Sequence, residues 1–111
     1  MIANCDVRER VNLIAAFPHM HMLGRSMRFE VGKAVDALSP MFVRDPFDFN
    51  DQRMEKVVIN LVQGDKTRLT CKYQNTNPTE VTYGESSLNE MCYLIAFAID
   101  RSSMGSCIVS Q

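Results

Sequence analysis

The stretch VNLIAAFPHMHMLG, residues 11–24, joins an apolar run to the only two histidines of the chain, His19 and His21. The apolar run predicts a β-strand, and Gly24 marks the turn that follows it. Side chains at positions i and i+2 share one face of a strand, whereas on a helix they point about 200° apart. The His-x-His spacing therefore predicts two imidazoles that one metal ion can bind. Two ordinary surface histidines give the same pattern, so a third ligand is needed.

Strand patterns continue on both sides of this stretch. Met27, Phe29 and Val31 alternate with polar residues, which is typical of a half-buried strand. Further strands are predicted at 54–62, 67–73, 81–83 and 90–99, with a short one near Cys107. Short strands separated by turns, without an amphipathic helix, predict an all-β sandwich of antiparallel strands.

Residues 37–52 differ from the rest of the chain because they contain Pro40 and Pro46. Proline cannot donate a ladder hydrogen bond, so a central strand is not expected there. We predict a loop or an edge segment that exposes Phe47 and Phe49, either as an interface or as a cover over the core.

The chain has 111 residues, which suits one domain spanning 1–111. Its net charge is −1 and it has no long basic run, so nucleic acid is not an expected partner. No apolar stretch approaches the roughly 20 residues of a membrane helix. The first residues do not resemble a signal peptide, so an exported form would be a mature fragment.

Four cysteines, an even number in a small chain, suggest two disulfides and an oxidising compartment such as the extracellular space, secretory lumen or periplasm. The count alone allows three connectivities, and four buried free thiols are the alternative. The zinc spacing C-x(2–4)-C is absent. The cysteines are Cys5, Cys71, Cys92 and Cys107.

Five blocks of sequence, in this order, resemble the C-terminal domain of the copper type II, ascorbate-dependent monooxygenases (the peptidylglycine α-hydroxylating monooxygenase and dopamine β-monooxygenase family). They are FPHMHMLGR at 17–25, RMEKVV at 53–58, QGD at 63–65, CKYQN at 71–75 and EMC at 90–92. Several motifs in register across nearly the whole chain are more specific than His-x-His alone.

The resemblance implies a copper site and its chemistry. His19, His21 and Met91 match the family's ligands for one copper ion, which binds and activates dioxygen beside the substrate C–H bond. Two imidazoles and a thioether suit copper, whereas calcium and magnesium prefer oxygen ligands. A three-ligand site also leaves a coordination position open for dioxygen. Met20 and Met22, which flank the histidine pair, should face the other way and pack.

The resemblance further implies a jelly-roll sandwich with the disulfides Cys71–Cys92 and Cys5–Cys107. The family uses a second copper, held by an N-terminal domain with three more histidines, which this chain lacks. Either that domain was removed or lies on another chain, or this domain works alone, and we expect removal. Without it, the chain should bind copper but should not complete the ascorbate-dependent reaction.

Two positions depart from the peptide-amidating members of the family. Their arginine two residues before the first histidine is Phe17 here, and their tyrosine four residues after the methionine ligand is Ile95. Because an arginine fork is suited to carboxylate recognition, a small apolar or aromatic substrate is expected instead of a peptide. Asn89 and Glu90 are either supports of the ligand loop or solvated turn residues.

Two other functions fit the same residues. The chain could be a non-catalytic copper-binding module for storage, delivery or sensing, or a structural sandwich that serves recognition. An intact His-His-Met set argues against the structural alternative. Only the catalytic hypothesis predicts oxygen-dependent turnover when ascorbate and a partner copper domain are supplied.

Overall fold

The computed structural model describes residues 1–86 and 88–99, and this part of the chain forms seven β-strands and no helix. No helix there could therefore cross a membrane. The strands are β1 (Ile2–Asp6), β2 (Val11–Met20), β3 (Gly24–Gly32), β4 (Leu38–Arg44), β5 (Glu55–Leu61), β6 (Lys66–Tyr73) and β7 (Cys92–Ala98).

The strands form two antiparallel sheets, one with the order β1-β6-β3-β4 and the other with the order β5-β2-β7. The main hydrophobic core draws buried side chains from both sheets, including Met20 on β2 and Met27 on β3. Each sheet therefore buries one face against the other. This arrangement confirms the predicted antiparallel β-sandwich.

The four-stranded sheet follows the two-residue period of a half-buried strand. Met27 pairs with Cys71 on the inner face, and both are almost fully buried. Arg28 is exposed on the outer face and Glu30, half-buried, shares that face with it. The alternation predicted at residues 27–31 is therefore confirmed.

A bulge in β2 sets which residues of the three-stranded sheet face outward. The pairing of β2 shifts between Leu13 and Ala15. Leu13 packs in the core, and the extra residue there brings Ala16 onto the same inner face. Beyond the bulge, the alternation places His19 on the outer face, between the buried Pro18 and Met20.

The proline-containing middle segment is partly an edge strand. β4 includes Pro40 and lies at the edge of its sheet, as the edge alternative predicted. The expected exposure of Phe47 is wrong, because its side chain is 5% exposed and belongs to the core. Phe49 is half-buried against that core. The segment at 45–54 therefore covers the core, and its Asp45–Pro46 peptide is cis.

The predicted disulfide between Cys71 and Cys92 is present and connects β6 of one sheet to β7 of the other. With a sequence separation of 21 between the two cysteines, it stabilises the fold by about 3 kcal/mol in the chain-entropy model. Cys107, with the strand predicted near it and its pairing to Cys5, lies outside the described residues. The strand predicted at 81–83 is wrong, since only an isolated bridge from Tyr83 to Glu90 forms there.

Candidate metal centre

The two histidines lie together where β2 ends. The centroids of their rings are 5.1 Å apart, with the ring planes at 83°. His19 is half-buried and His21 is 5% exposed. The two imidazoles therefore lie next to each other, as the prediction of a shared site requires, although His21 follows the last strand residue, Met20.

Each imidazole is hydrogen-bonded to an oxygen through its Nδ1 atom. The Nδ1 of His21 lies 2.9 Å from the carbonyl oxygen of Asn89, and that of His19 lies 2.7 Å from Oε1 of Gln52. A carbonyl oxygen can only accept, so Nδ1 carries the proton in each neutral ring. The lone pair for a metal is therefore on Nε2 in both histidines.

Met91 comes immediately before β7, beside the histidines. β2 and β7 pair His19 with Tyr93 and Met20 with Cys92, so continuing the register puts Met91 opposite His21. Its side chain is 9% exposed. The backbone there is fixed by the Tyr73 hydroxyl, which donates to the Met91 carbonyl oxygen at 2.9 Å. Burial, with a smaller contribution from the Glu90 carboxylate, raises the pKa of Tyr73, which keeps its hydroxyl a donor.

Glu90 connects the methionine segment to the histidine segment. Its carboxylate accepts from the backbone N–H of His21 at 3.2 Å and from that of Leu23 at 2.9 Å. Glu90 is 8% exposed, so it is a buried support and not a solvated turn residue. Asn89 contributes its backbone carbonyl to His21, while its side chain donates to the Thr82 hydroxyl at 3.2 Å.

The two methionines beside the histidines have different environments. Met20 is completely buried in the core, as predicted. Met22 is 62% exposed, so the prediction that it packs is wrong. The reason is that residues 22 and 23 form a turn after the end of β2, where strand alternation no longer applies.

The sheet face that carries His19 is otherwise apolar along β2 and β7. Tyr93 lies opposite His19, Ile95 lies opposite Phe17, and Phe97 lies opposite Ala15. The β7 residues are 38–48% exposed. Directly opposite residues of an antiparallel pair share a face, so these six positions form one strip, here called the β2–β7 outer strip.

One end of the strip carries a pair of tyrosines. The Tyr83 hydroxyl donates to the Tyr93 hydroxyl, and the ring centroids are 6.1 Å apart. Burial and this hydrogen bond raise the pKa of Tyr83 to about 12. Tyr83 is therefore neutral near neutral pH and adds no charge beside the histidines.

The contacts that Gln52 makes with His19 and Phe49 makes with His21 were not predicted from the sequence. Both come from the segment between β4 and β5, about 30 residues from the histidines, and no spacing rule relates them.

The described residues contain no group of three His, Cys, Asp or Glu side chains placed to hold a metal. The candidate set is of another kind, with two imidazoles and a thioether.

Comparisons with known proteins agree with the resemblance. The family model of the copper type II ascorbate-dependent monooxygenase C-terminal domain matches residues 2–111. Human DBH-like monooxygenase protein 1 is 29% identical over 103 residues, 87% of this chain and 16% of the relative. Mouse DBH-like monooxygenase protein 2 is 26% identical over 102 residues, 88% of this chain and 16% of the relative. The chain thus spans about a sixth of the length of these relatives.

Proposed function

Because the chain belongs to the family of copper type II ascorbate-dependent monooxygenases, in which it corresponds to the C-terminal domain, we propose that it holds one catalytic copper ion. The proposed ligands are His19, His21 and Met91. The observation that carries the proposal is the histidine pair, 5.1 Å apart between ring centroids, with both Nδ1 atoms engaged by carbonyl oxygens. Both Nε2 lone pairs are thereby left to one ion.

The donor set fits copper better than the other common metals. Thioether sulfur favours Cu(I), and imidazole binds both Cu(I) and Cu(II), so this combination can serve both oxidation states. Met91 is nearly buried, which suits a weakly polar thioether ligand. Bound copper would supply reactivity toward dioxygen and the ability to transfer electrons, which amino-acid side chains alone do not have.

The surrounding residues hold the ligands in place. Glu90 binds the backbone on both sides of Met22, and this fixes the turn that carries His21. Tyr73 binds the Met91 carbonyl, and the Cys71–Cys92 disulfide fixes the next residue from the opposite face. The three proposed ligands therefore come from two segments that are fastened to each other before any metal binds.

We propose that the β2–β7 outer strip receives the substrate, and that the substrate is small, neutral and apolar or aromatic. Phe17 and Ile95 lie opposite each other on this strip, where the peptide-amidating members carry polar groups for a carboxylate. None of the six positions is an Asp, Glu, Lys or Arg. The cation that register places beside the strip, Lys56 of β5, pairs with Ala15 at the end away from His19. The overall reaction would insert one oxygen atom into a C–H bond and reduce the other to water, using two electrons from ascorbate and two protons.

The proposed reaction also needs a route for electrons, and the disulfide needs an oxidising compartment. The ascorbate electrons would arrive through an N-terminal domain with its own copper. The Cys71–Cys92 disulfide is typical of extracellular and other oxidising compartments, where we place the protein.

Turnover tests the catalytic proposal against copper storage, delivery or sensing. The copper-loaded chain would be mixed with ascorbate and an electron-transfer copper domain from this family, with neutral alkylbenzenes or glycine-extended peptides as substrates. We expect oxygen-dependent hydroxylation of the alkylbenzenes that His21→Ala abolishes. Copper binding without any turnover would favour the storage module, and hydroxylated peptides would contradict the proposed substrate class. Hydroxylation by the lone chain with ascorbate would contradict the need for a partner domain.

A further inference from the structure

The segment at 45–54, between β4 and β5, contacts both histidines. Oε1 of Gln52 lies 2.7 Å from Nδ1 of His19, and the Phe49 ring meets the His21 ring edge-on at 6.5 Å between centroids. These contacts come from a part of the chain remote in sequence from the proposed ligands. The segment can therefore influence how the imidazoles are oriented.

The orientation of the Gln52 amide follows from its second hydrogen bond. Its Nε2 donates to the carbonyl oxygen of Phe49 at 2.8 Å. The reversed amide would place Oε1 against that carbonyl, where two acceptors would face each other. Oε1 is therefore the atom that faces His19, and the imidazole must donate to it from Nδ1.

The segment is itself fastened to the body of the domain. Phe47 is buried in the core, and its backbone N–H donates to the Arg25 carbonyl oxygen at 2.8 Å. At the other end, Arg44 pairs with Glu55 at 2.5 Å and reaches the Asp51 carbonyl oxygen at 3.4 Å. These anchors hold Gln52 near His19 and reduce the entropy lost in forming the contact.

We propose that Gln52 is a positioning residue that fixes the tautomer of His19, keeping the proton on Nδ1 and the lone pair on Nε2. The inference rests on the proposed function only in naming His19 a copper ligand. The tautomer is a property of the metal-free chain and can be measured without copper. The hydrogen bond of one ring nitrogen decides which nitrogen is left to bind a metal.

The test is nitrogen NMR of the copper-free chain with ¹⁵N-labelled histidine, at about pH 8.5, where unperturbed imidazoles are neutral. The chain has two histidines, so the spectrum contains only two imidazoles to assign. In the unmodified chain both should carry the proton on Nδ1. Gln52→Met, which keeps the length but removes the acceptor, should move the proton of His19 toward Nε2. His21 should not change, because its partner is the Asn89 backbone carbonyl.

Two control variants separate hydrogen bonding from packing. Gln52→Glu keeps an oxygen acceptor and should retain the Nδ1 proton of His19. Gln63→Met changes an exposed glutamine elsewhere and should leave both histidines unchanged. An Nε2-protonated His19 in the unmodified chain would overturn the proposal without any variant, and so would an unchanged tautomer in Gln52→Met.

Copper titration of the same samples separates this inference from the proposed function. Gln52→Met should weaken Cu(I) binding by about 10- to 100-fold, the usual effect of losing a group that orients a ligand. If the unmodified chain fails to bind Cu(I), the proposed function is wrong, and the tautomer measurement still decides the role of Gln52. If copper binds and the tautomer does not depend on residue 52, only the Gln52 inference is wrong.

Discussion

The two sheets of the sandwich have similar inner faces and different outer faces. The inner face of each contributes a completely buried methionine, Met27 in the four-stranded sheet and Met20 in the three-stranded sheet. The outer face of the four-stranded sheet combines ion pairs, from Arg28 to Glu30 at 3.7 Å and from Lys66 to Asp6 at 2.7 Å, with the exposed apolar side chains of Ile2 and Val43. On the three-stranded sheet, the β2–β7 outer strip is apolar except at His19 and Tyr93.

This difference separates what folding requires from what function adds. A half-buried sheet folds with a largely polar outer face, so folding does not call for a contiguous strip of exposed apolar side chains. Ile95 and Phe97 are nonetheless 45% and 48% exposed. A contiguous exposed apolar area beside two histidines is typical of a binding surface. We therefore propose that both inner faces provide stability and that one outer face binds the ligand.

The largest expected effect tests whether the inner faces are equivalent. Met27→Ala and Met20→Ala each remove a side chain that is fully buried. Each should lower the free energy of unfolding by about 2–5 kcal/mol, through lost burial and the cavity left behind. Urea denaturation would measure it, with the exposed Met22→Ala as the control near zero. If Met27→Ala or Met20→Ala lowers the free energy of unfolding no more than Met22→Ala does, the sheet that carries that methionine does not contribute to the core.

The next effect concerns the metal site on one outer face. His21→Ala removes a proposed ligand and should weaken Cu(I) binding by more than the roughly 100-fold that loss of an orienting group can cause. Arg28→Ala, on the outer face of the other sheet, is the matched control and should bind like the unmodified chain. Competition with a Cu(I) chelator would measure both affinities. Equal Cu(I) affinities of His21→Ala and Arg28→Ala would show that the two outer faces do not differ in metal binding.

A smaller effect, on stability in acid, is expected from Asp65 in the turn that connects β5 of one sheet to β6 of the other. There a hydrogen bond from Lys33 and another from the Val62 N–H lower the pKa of the Asp65 carboxyl. A lowered folded-state pKa stabilises the fold above the unfolded-state value, about 3.9, and that stabilisation is lost as pH falls through the folded value. Thermal melts from pH 6 to pH 2 should therefore show less acid destabilisation in Asp65→Asn than in the unmodified chain. The exposed Asp36→Asn is the control, and identical acid profiles for all three proteins would refute this linkage.

The smallest effect on stability is expected on the β2–β7 outer strip itself. Ile95→Thr and Phe97→Thr should lower the free energy of unfolding by about 1 kcal/mol or less, because only about half of each side chain is buried. The same variants should weaken binding of a neutral aromatic probe such as acetophenone, followed by NMR. Phenylacetate, of the same size but anionic, should bind more weakly than acetophenone. Preferential binding of phenylacetate would contradict the proposed neutral substrate.

Much of the fold could be predicted because most strands alternate or carry apolar runs. The alternation at 27–31 predicted β3, and the prolines predicted a loop or an edge segment at 37–52, where the edge strand β4 forms. β1 was not predicted, because its five residues, IANCD, have neither pattern and form a strand by pairing with β6. Phe47 was predicted to be exposed because it follows Pro46 in a predicted loop or edge segment, whereas tertiary packing placed it in the core.

The candidate site was predictable only where the sequence has a short-range rule. The i, i+2 spacing was enough to place His19 and His21 on one face, and the geometry agrees. The supports of the site follow no such rule. Gln52, which contacts His19, lies 33 positions away from it in the sequence. His21 binds a backbone carbonyl oxygen 68 positions away, and a residue of any type at that position would provide one. Such contacts depend on the packing of loops and cannot be inferred from spacing.

The central claim is that one copper ion is bound by two imidazoles and the Met91 sulfur, and X-ray absorption spectroscopy of the Cu(I) form tests it most directly. Copper stoichiometry and the spectrum would be measured for the unmodified chain, Met91→Ala and Met22→Ala. We predict one copper ion per chain with nitrogen and sulfur neighbours, loss of the sulfur neighbour in Met91→Ala, and no change in Met22→Ala. Absence of copper, or a sulfur neighbour that persists in Met91→Ala, would contradict the proposed site.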